Sequence, residues 1–181
     1  MCFQGYYPHV AEYIPKAGYL TGSPYAFIGA SPSKGGKGAF ARAFIFKGTD
    51  IAHYCGKYVY NDEEYDHDLD RPYAYEVPGG ACIDPCYLTP FLGKTIDPKY
   101  ELSLAIYINE PNFEENEEPN CMFVSKFVEG VKYKVPVLVA LRDIYPWEEL
   151  TSYYGANYDR FWLTKRRQVL LKEKLIKKFG N

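Results

Sequence analysis

Glycine and proline interrupt the sequence at short intervals, and this punctuation limits the length of any helix in the body of the chain. The 181 residues include 15 Gly and 13 Pro, and Pro85, Pro90 and Pro98 divide the middle of the chain. A proline inside a helix removes a backbone donor and clashes with the preceding turn, so long helices are not expected there. The punctuation therefore predicts a mainly β domain built from many short strands.

The segments with strand character are short and bounded by turn residues. They cover residues 25–30, 51–59, 73–77, 81–84, 122–128 and 133–140. The last two segments are expected to pair with each other across Glu129-Gly130. Residues 102–108 are apolar and suited to burial, and residues 109–120 form an acidic connection.

A helical period appears only at the C-terminal end, where a helix is predicted from about Leu163 to Phe179. The residues on its apolar face are Val169, Leu171, Leu175, Ile176 and Phe179. The opposite face is rich in Lys and Arg. We expect the apolar face to dock on the body of the domain. A basic surface that contacts nucleic acid or an acidic partner is the alternative.

Composition narrows the class of protein. The formal net charge is −2 and 47% of the residues are hydrophobic, which suits one soluble domain. The five Cys show no C-x-x-C spacing, so we predict reduced thiols, an intracellular location and no metal site. No run of about 18 apolar residues occurs and the N-terminus lacks the pattern of a secretory signal, so no contact with a membrane is expected.

Three short stretches carry residue types that suit ligand chemistry. The glycines of Gly35-Gly36-Lys37-Gly38 let the backbone approach a ligand closely. Asn109 follows an apolar run, and its amide can accept from an amine while donating to backbone. Tyr154 precedes a glycine turn and can present a fixed phenol oxygen. Taken singly, each also fits a plain turn, a chain-turning Asn or a core tyrosine.

In this order the stretches resemble the SET domain of protein lysine methyltransferases. The matching segments are residues 36–41, 47–51, 107–109, 119–120 and 148–155. The likeness spans about residues 25–162 and is nearest to minimal, viral-type SET domains, which lack flanking cysteine-rich and zinc-binding segments. It implies small curved β-sheets of the β-clip type with a pseudoknot, in which the Tyr154 segment threads the Asn109 segment. Residues 1–24 would be an irregular extension, 25–162 the SET domain, and 163–181 a helix that closes or docks on it.

The resemblance implies S-adenosyl-L-methionine as methyl donor, a protein lysine as acceptor and Tyr154 as the catalytic tyrosine. The implied cofactor-binding residues are Gly36, Lys37, Gly38, Tyr75, Asn109, Glu110, Phe161 and Trp162. In this assignment the backbone at position 110 reads the adenine. The implied residues of the substrate channel are Tyr54, Tyr107, Ser152 and Tyr153. A lysine-rich histone tail is the expected acceptor, which places the protein in the nucleus, and a non-histone acceptor would place it in the cytoplasm.

The sequence departs from the family pattern in three segments. Asn109-Glu110-Pro111 stands where Asn-His-Ser is usual, and Trp147 stands where a Gly is usual. Ser152 takes the place of a Phe or Tyr that limits the number of methyl groups, so we expect di- or trimethylation. The alternative prediction is a SET-like binding module without catalysis. A homodimer is also considered, because a minimal SET domain has little surface to hold a peptide alone.

Overall fold

Small antiparallel sheets form the body of the protein in a computed structural model. The structure describes residues 25–54, 57–59, 75–77, 81–84, 104–127, 134–156, 158, 160 and 163–180. The strands within these ranges are β1 (Ala26–Ala30), β2 (Lys37–Ala41), β3 (Asp50–His53), β4 (Lys57–Val59), β5 (Tyr75–Val77), β6 (Ala81–Asp84), β7 (Cys121–Phe127) and β8 (Lys134–Ala140). The mainly β prediction is therefore confirmed.

The described strands belong to three sheets with the orders β1-β2, β3-β8-β7 and β4-β6-β5. The antiparallel pairing of β7 with β8 follows the sequence prediction. β5 also pairs antiparallel with β6, a pairing that the sequence analysis did not state. The prediction of one strand over residues 51–59 is wrong. β3 pairs with β8 whereas β4 pairs with β6, so the chain changes sheets between them. Strand propensity describes a half-buried extended chain but does not identify its partner.

Short 3-10 helices and one α-helix complete the described elements. The first 3-10 helix, Leu104–Tyr107, buries Leu104 and Ala105, as the apolar run predicted. The second, Phe113–Glu115, lies in the acidic connection. The α-helix, α1, spans Lys165–Phe179 and begins after Thr164, whose side chain accepts from the Arg167 amide. No helix among the described residues is long and apolar enough to cross a membrane.

Helix α1 packs on the domain through its C-terminal half. Leu175 is fully buried, and the Phe179 ring stacks on Tyr153 with 4.8 Å between ring centroids. The Lys174 ammonium donates to the carbonyl of Phe113 at 2.8 Å. The prediction of Val169 on the docking face is wrong, because its side chain is 57% exposed. The contacts with the domain therefore involve fewer turns of the helix than the apolar period suggested.

Residues 149–152 form a crossing segment that joins the sheets. Glu149 bridges to Phe40 of β2, and Thr151 and Ser152 form parallel bridges to Asn109 and Cys121 respectively. The Ser152 amide donates to the Asn109 carbonyl and the Cys121 amide donates to the Thr151 carbonyl, both at 2.9 Å. The segment therefore passes between two stretches that are remote from it in sequence, as the pseudoknot of the predicted fold requires.

Cys121 lies in the buried core beside this crossing segment, fully shielded from solvent. Burial raises the pKa of its thiol from 9.0 to about 12, against the opposing charge of Arg142 and with the charge of Glu148 adding to the rise. Three pKa units correspond to a roughly thousandfold smaller thiolate fraction. Because the thiolate is the nucleophile, this cysteine is expected to be inert in the folded protein.

Alkylation with iodoacetamide at pH 8 should therefore modify Cys121 far more slowly than Cys82, which is only partly buried. Peptide mapping after timed quenching gives the two rates separately. We expect a ratio of at least roughly one hundred in the native state, collapsing toward one in denaturant. Equal native rates would show that the crossing segment does not seal this part of the core.

Candidate active site

The glycine loop before β2 is a closed turn that only glycine can form easily. Gly35 and Gly36 have φ values of 74° and 81°, a region that L side chains rarely adopt. The Ser31 amide donates to the Gly36 carbonyl at 3.0 Å, and the Gly35 amide donates back to Ser31 at 2.9 Å. The loop therefore delivers Lys37 and Gly38 to β2 in a fixed orientation.

Asn109 and Glu149 close around Gly38. The Asn109 amide nitrogen donates to the Lys37 carbonyl at 3.1 Å and to Glu149 Oε1 at 2.7 Å. Glu149 Oε2 accepts from the Ser31 hydroxyl at 3.0 Å. A Cβ at position 38 would lie 2.3 Å from Glu149 Oε1 and 3.1 Å from Asn109 Nδ2. Glycine at position 38 is therefore required by the close approach of these two side chains.

The Asn109 side chain retains one group that suits a ligand amine. Both of its amide hydrogens are used by Lys37 and Glu149. Within the described part of the chain no donor bonds to its oxygen Oδ1. An amide oxygen accepts from an ammonium group, so the geometry fits the amino group of an amino-acid-like cofactor. The backbone of Gly36 fits the same ligand, because a Cβ added there would meet nothing within 4 Å.

Tyr154 is held at both ends by residues next to Asn109 in the sequence. Its backbone amide donates to Glu110 Oε1 at 2.9 Å, and its hydroxyl donates to the carbonyl of Ile108. Its ring meets the Tyr158 ring edge-on, with 4.8 Å between centroids. Because the phenol hydrogen goes to Ile108, the phenol oxygen acts toward other groups as an acceptor.

The side chain of Glu110 makes specific contacts that sequence reasoning had not assigned. Its carboxylate forms a two-pronged ion pair with Arg160, from Nε to Oε2 at 2.8 Å and from Nη2 to Oε1 at 2.7 Å. The two residues are only 9% and 3% exposed. Arg160 was not predicted either. The one available signal was Glu110 itself, since a carboxylate that replaces a usual His in an apolar segment needs a cationic partner.

Two other predicted site residues join this group. The Lys37 ammonium lies 5.9 Å from the centroid of the Tyr107 ring, which places Tyr107 beside the glycine loop. Ser152 is buried at the crossing and pairs with the Asn109 backbone. Glu149 and Asn120 belong to the same crossing, although only their motifs were noted from the sequence. The Asn120 amide donates to the Glu149 carbonyl and accepts from the Thr151 amide, both at 2.8 Å.

The remaining predicted site residues lie elsewhere or outside the described chain. Tyr54 and Tyr75 pack with Phe123 in an aromatic cluster, with ring centroids 5.2–5.6 Å apart, and burial raises the pKa of Tyr75. Tyr153 packs against α1, as described above. Their roles in binding stay predictions, as do those of Phe161 and Trp162, which lie outside the described residues. In the described ranges no cluster of three or more His, Cys, Asp or Glu could hold a metal ion.

Trp147 stands where the family usually has a glycine, and its backbone conformation is one that favours glycine. Its φ is 73°, which accounts for the glycine usual at this position. The side chain is 76% exposed and meets Phe27 edge-on at 5.3 Å between centroids. Its amide still donates to the Ala41 carbonyl at 2.7 Å. The backbone at position 147 is thus hydrogen-bonded to β2 with a tryptophan in place.

The described part of the acidic connection is neutralised largely from within the protein. Glu117 accepts from the Asn112 amide and from Lys34, and these bonds hold the pKa of its carboxyl below the usual value, against the effect of burial. Glu118 pairs with Lys178 of α1. Lys34 and Glu117 also line an open cleft of about 430 Å³ that none of the predicted site residues lines. Internal pairing therefore lowers the negative charge that the described part of this loop presents to solvent.

Comparison with known proteins agrees with this geometry. The family model of the SET domain matches residues 36–155, so the chain belongs to the SET-domain family. SET-domain methyltransferases generally use S-adenosyl-L-methionine as methyl donor. No curated protein sequence matches the chain. Among solved structures, a Plasmodium falciparum protein described as a "putative histone methyltransferase" matches with a TM-score of 0.47 and 22% identity, over 77% of this chain and 97% of that one.

The contact around Gly38 predicts the effect of a single added methyl group. In Gly38→Ala the new Cβ must displace the Glu149 carboxylate from Asn109 and Ser31. We expect a stability loss of about 1–3 kcal/mol, which is typical of overpacking. Binding of S-adenosylmethionine should weaken by roughly tenfold or more, since 1.4 kcal/mol is a tenfold change in affinity. Denaturant unfolding and calorimetry measure the two effects.

Gly29→Ala is the matched control. Gly29 lies opposite Gly38 in the β1–β2 register, and its added Cβ would meet the Phe40 ring at 3.2 Å and the Phe27 ring at 3.5 Å, but neither Asn109 nor Glu149. It should retain cofactor affinity within about threefold, or less than about 0.7 kcal/mol. Equal losses in the two variants would mean that the sheet as a whole, rather than the Asn109–Glu149 contact, supports binding.

Proposed function

We propose that this protein is an S-adenosylmethionine-dependent protein lysine N-methyltransferase. The observation that carries the proposal is the convergence of two functions on Ile108, Asn109 and Glu110. Asn109 bonds to the glycine loop, while Ile108 and Glu110 hold the two ends of Tyr154. The proposed pocket for the methyl donor and the phenol that would position the acceptor are therefore both held by this one stretch of backbone.

The residues that would hold the cofactor are the backbone of Gly36 to Gly38 and the side chain of Asn109. Oδ1 of Asn109 suits the amino group, and the space at Gly36 is open. When bound, S-adenosylmethionine supplies an electrophilic methyl group. Because transfer of this methyl is an in-line displacement, correct placement of the acceptor amine provides much of the rate.

Tyr154 is proposed to aim the acceptor amine. A lysine amine has a pKa of about 10.4 in water and attacks only when neutral. Rings such as those of Tyr154 and Tyr158 exclude water, which disfavours the ammonium form. The phenol oxygen, with its hydrogen given to Ile108, accepts from the amine and fixes the direction of the lone pair. In this scheme the lysine ammonium loses its proton to solvent before it enters the site, so no general base from the protein is needed.

A lysine-rich histone tail is the proposed acceptor, and the nucleus the corresponding location. This choice rests on the family and on the need for an accessible lysine. A non-histone protein is the alternative acceptor. Loss of catalysis with retained cofactor binding is the alternative function, and the replacement of the usual His-Ser by Glu110-Pro111 is the observation behind it.

Tyr154→Phe tests the proposed role directly. The wild-type protein, incubated with S-adenosylmethionine and core histones, should add methyl groups that are visible by intact mass. The variant should lose roughly one hundredfold or more in rate, because it lacks the oxygen that orients the amine. Its cofactor affinity should stay within about threefold, since Asn109 and the glycine loop are untouched.

Tyr145→Phe is the control, because Tyr145 is 63% exposed and its ring packs against Phe44. It should retain full activity. Cofactor binding by wild type without any methyl gain on histones or on a pool of cytosolic proteins would favour the non-catalytic module. Undiminished activity of Tyr154→Phe would remove this tyrosine from the reaction.

The number of methyl groups added to one lysine tests the proposed role of Ser152. Its side chain is small and buried at the crossing, next to the backbone of Asn109. We propose that the small side chain leaves space for an already methylated amine, so that dimethyl or trimethyl lysine accumulates with excess donor. The same mass spectra give the number. A product that stops at monomethyl lysine, with active enzyme and donor remaining, would contradict this.

A further inference from the structure

The Glu110–Arg160 pair is the most deeply buried ion pair in the described part of the chain. The side chains of its two members are 8% and 4% exposed, whereas every other described pair has at least one partner that is 29% exposed or more. Its two parallel hydrogen bonds use the planar fork of arginine, which a lysine cannot reproduce. The pair joins residues 50 positions apart in the sequence.

Both members of the pair also hold the backbone around Tyr154. Glu110 Oε1 accepts from the Tyr154 amide at 2.9 Å. Arg160 donates to the Gly155 carbonyl at 2.9 Å through Nη2 and to the Tyr158 carbonyl at 2.9 Å through Nη1. The guanidinium also lies 5.7 Å from the centroid of the Tyr158 ring. Together these four contacts fix the turn that carries the phenol of Tyr154.

Stabilisation of the fold is by itself a weak explanation for a buried ion pair. Removing two charges from water is costly, and well-packed apolar residues often stabilise a fold as well or better. The pair supplies instead a directional fit, since its hydrogen bonds fix the backbone carbonyls of Gly155 and Tyr158. Gly155 has a φ of 102° and the broad conformational freedom of glycine, so the hydrogen bond to its carbonyl restricts the turn after Tyr154.

The competing explanation is that Arg160 only anchors α1. The Gln168 side chain donates to the carbonyls of Arg160 and Leu163 at 3.0 and 3.2 Å, so residue 160 is also tied to the helix. That tie runs through the backbone of Arg160, whereas the contacts to Glu110, Gly155 and Tyr158 run through its guanidinium. Substitutions of the side chain therefore separate the two roles.

We propose that Arg160 and Glu110 are positioning residues that set the phenol of Tyr154 for methyl transfer. This proposal rests on the proposed methyltransferase function. Through Glu110 the glycine loop, Asn109 and Tyr154 form one connected unit, so the pair links the donor side of the site to the acceptor side. The pair occupies the place of the histidine that is usual after the asparagine, and the arginine comes from the segment after the catalytic turn.

Arg160→Lys keeps the charge but removes the fork, and is the primary test. We expect the rate of methyl transfer at saturating donor and acceptor to fall by at least about tenfold, because small misplacement of the reacting groups has large effects. The KM for S-adenosylmethionine should change by less than about threefold, since Asn109 is untouched. Amide hydrogen exchange of Tyr154 should become faster. Arg167→Lys is the matched control, because Arg167 is exposed and lies 3.8 Å from Glu114.

The double variant Glu110→Gln, Arg160→Met separates positioning from stability. It leaves no unpaired buried charge, so its denaturation midpoint should recover relative to Arg160→Met alone. Under the proposal the rate stays low in the double variant although stability returns. A rate that recovers together with stability, or a rate in Arg160→Lys equal to wild type, overturns the proposal.

Failure of the proposed function gives a different result. A wild-type protein that transfers no methyl group refutes the methyltransferase assignment, and the exchange measurement then decides on the pair by itself. Faster exchange at Tyr154 in Arg160→Lys, with Arg167→Lys unchanged, supports positioning of Tyr154 by the pair. Unchanged exchange in both variants overturns it.

Discussion

The hydrogen bond from Asn109 to Glu149 is the interaction on which the candidate site depends. It joins the crossing segment to the acidic connection at 2.7 Å, beside a glycine that leaves no room for a side chain. A hydrogen bond to a charged group contributes about 1.5–3 kcal/mol. The same carboxylate reaches Ser31, so the glycine loop, the Asn109 segment and the crossing segment meet at one side chain.

The architecture explains why residues remote in sequence can act together. The parallel bridges to Asn109 and Cys121 hold residues 151 and 152 from both sides, and Asn120 supplies the backbone groups of this segment with side-chain partners. Tyr154 follows two residues later and is therefore placed by the same crossing. The pair of Glu110 and Arg160 extends this order to the turn beyond Tyr154. The site is thus a property of the threaded chain and does not belong to any single sheet.

Those parts of the fold and of the candidate site that depend on local sequence patterns could be predicted from the sequence. Short strands between turn residues, the hairpin of β7–β8, and the motifs around Gly38, Asn109 and Tyr154 all depend on near neighbours. The threading of one segment through another was predicted from the likeness to the SET family, because no local sequence pattern indicates it. The division of residues 51–59 between two sheets was missed, because each half selects a partner far along the chain.

Arg160 was missed for the same reason, since its partner lies in another part of the sequence and a single arginine among aromatic residues carries no signature. Val169 was misplaced because a helical period identifies apolar positions but not how much of the helix reaches the core. Glu110 was assigned through its backbone by analogy, whereas its side chain makes the specific contacts. In each case a nonlocal contact decided the outcome.

The central claim is that Asn109 organises a pocket for S-adenosylmethionine, and calorimetric titration of this ligand tests it most directly. The titration compares wild type with Asn109→Leu, which keeps the size of the side chain but removes its hydrogen bonds. Asn112→Leu, at the start of the second 3-10 helix, is the control. The account predicts saturable binding by wild type and the control, and affinity weakened by roughly tenfold or more in Asn109→Leu. Absence of binding by wild type, or equal affinity in all three proteins, would contradict it.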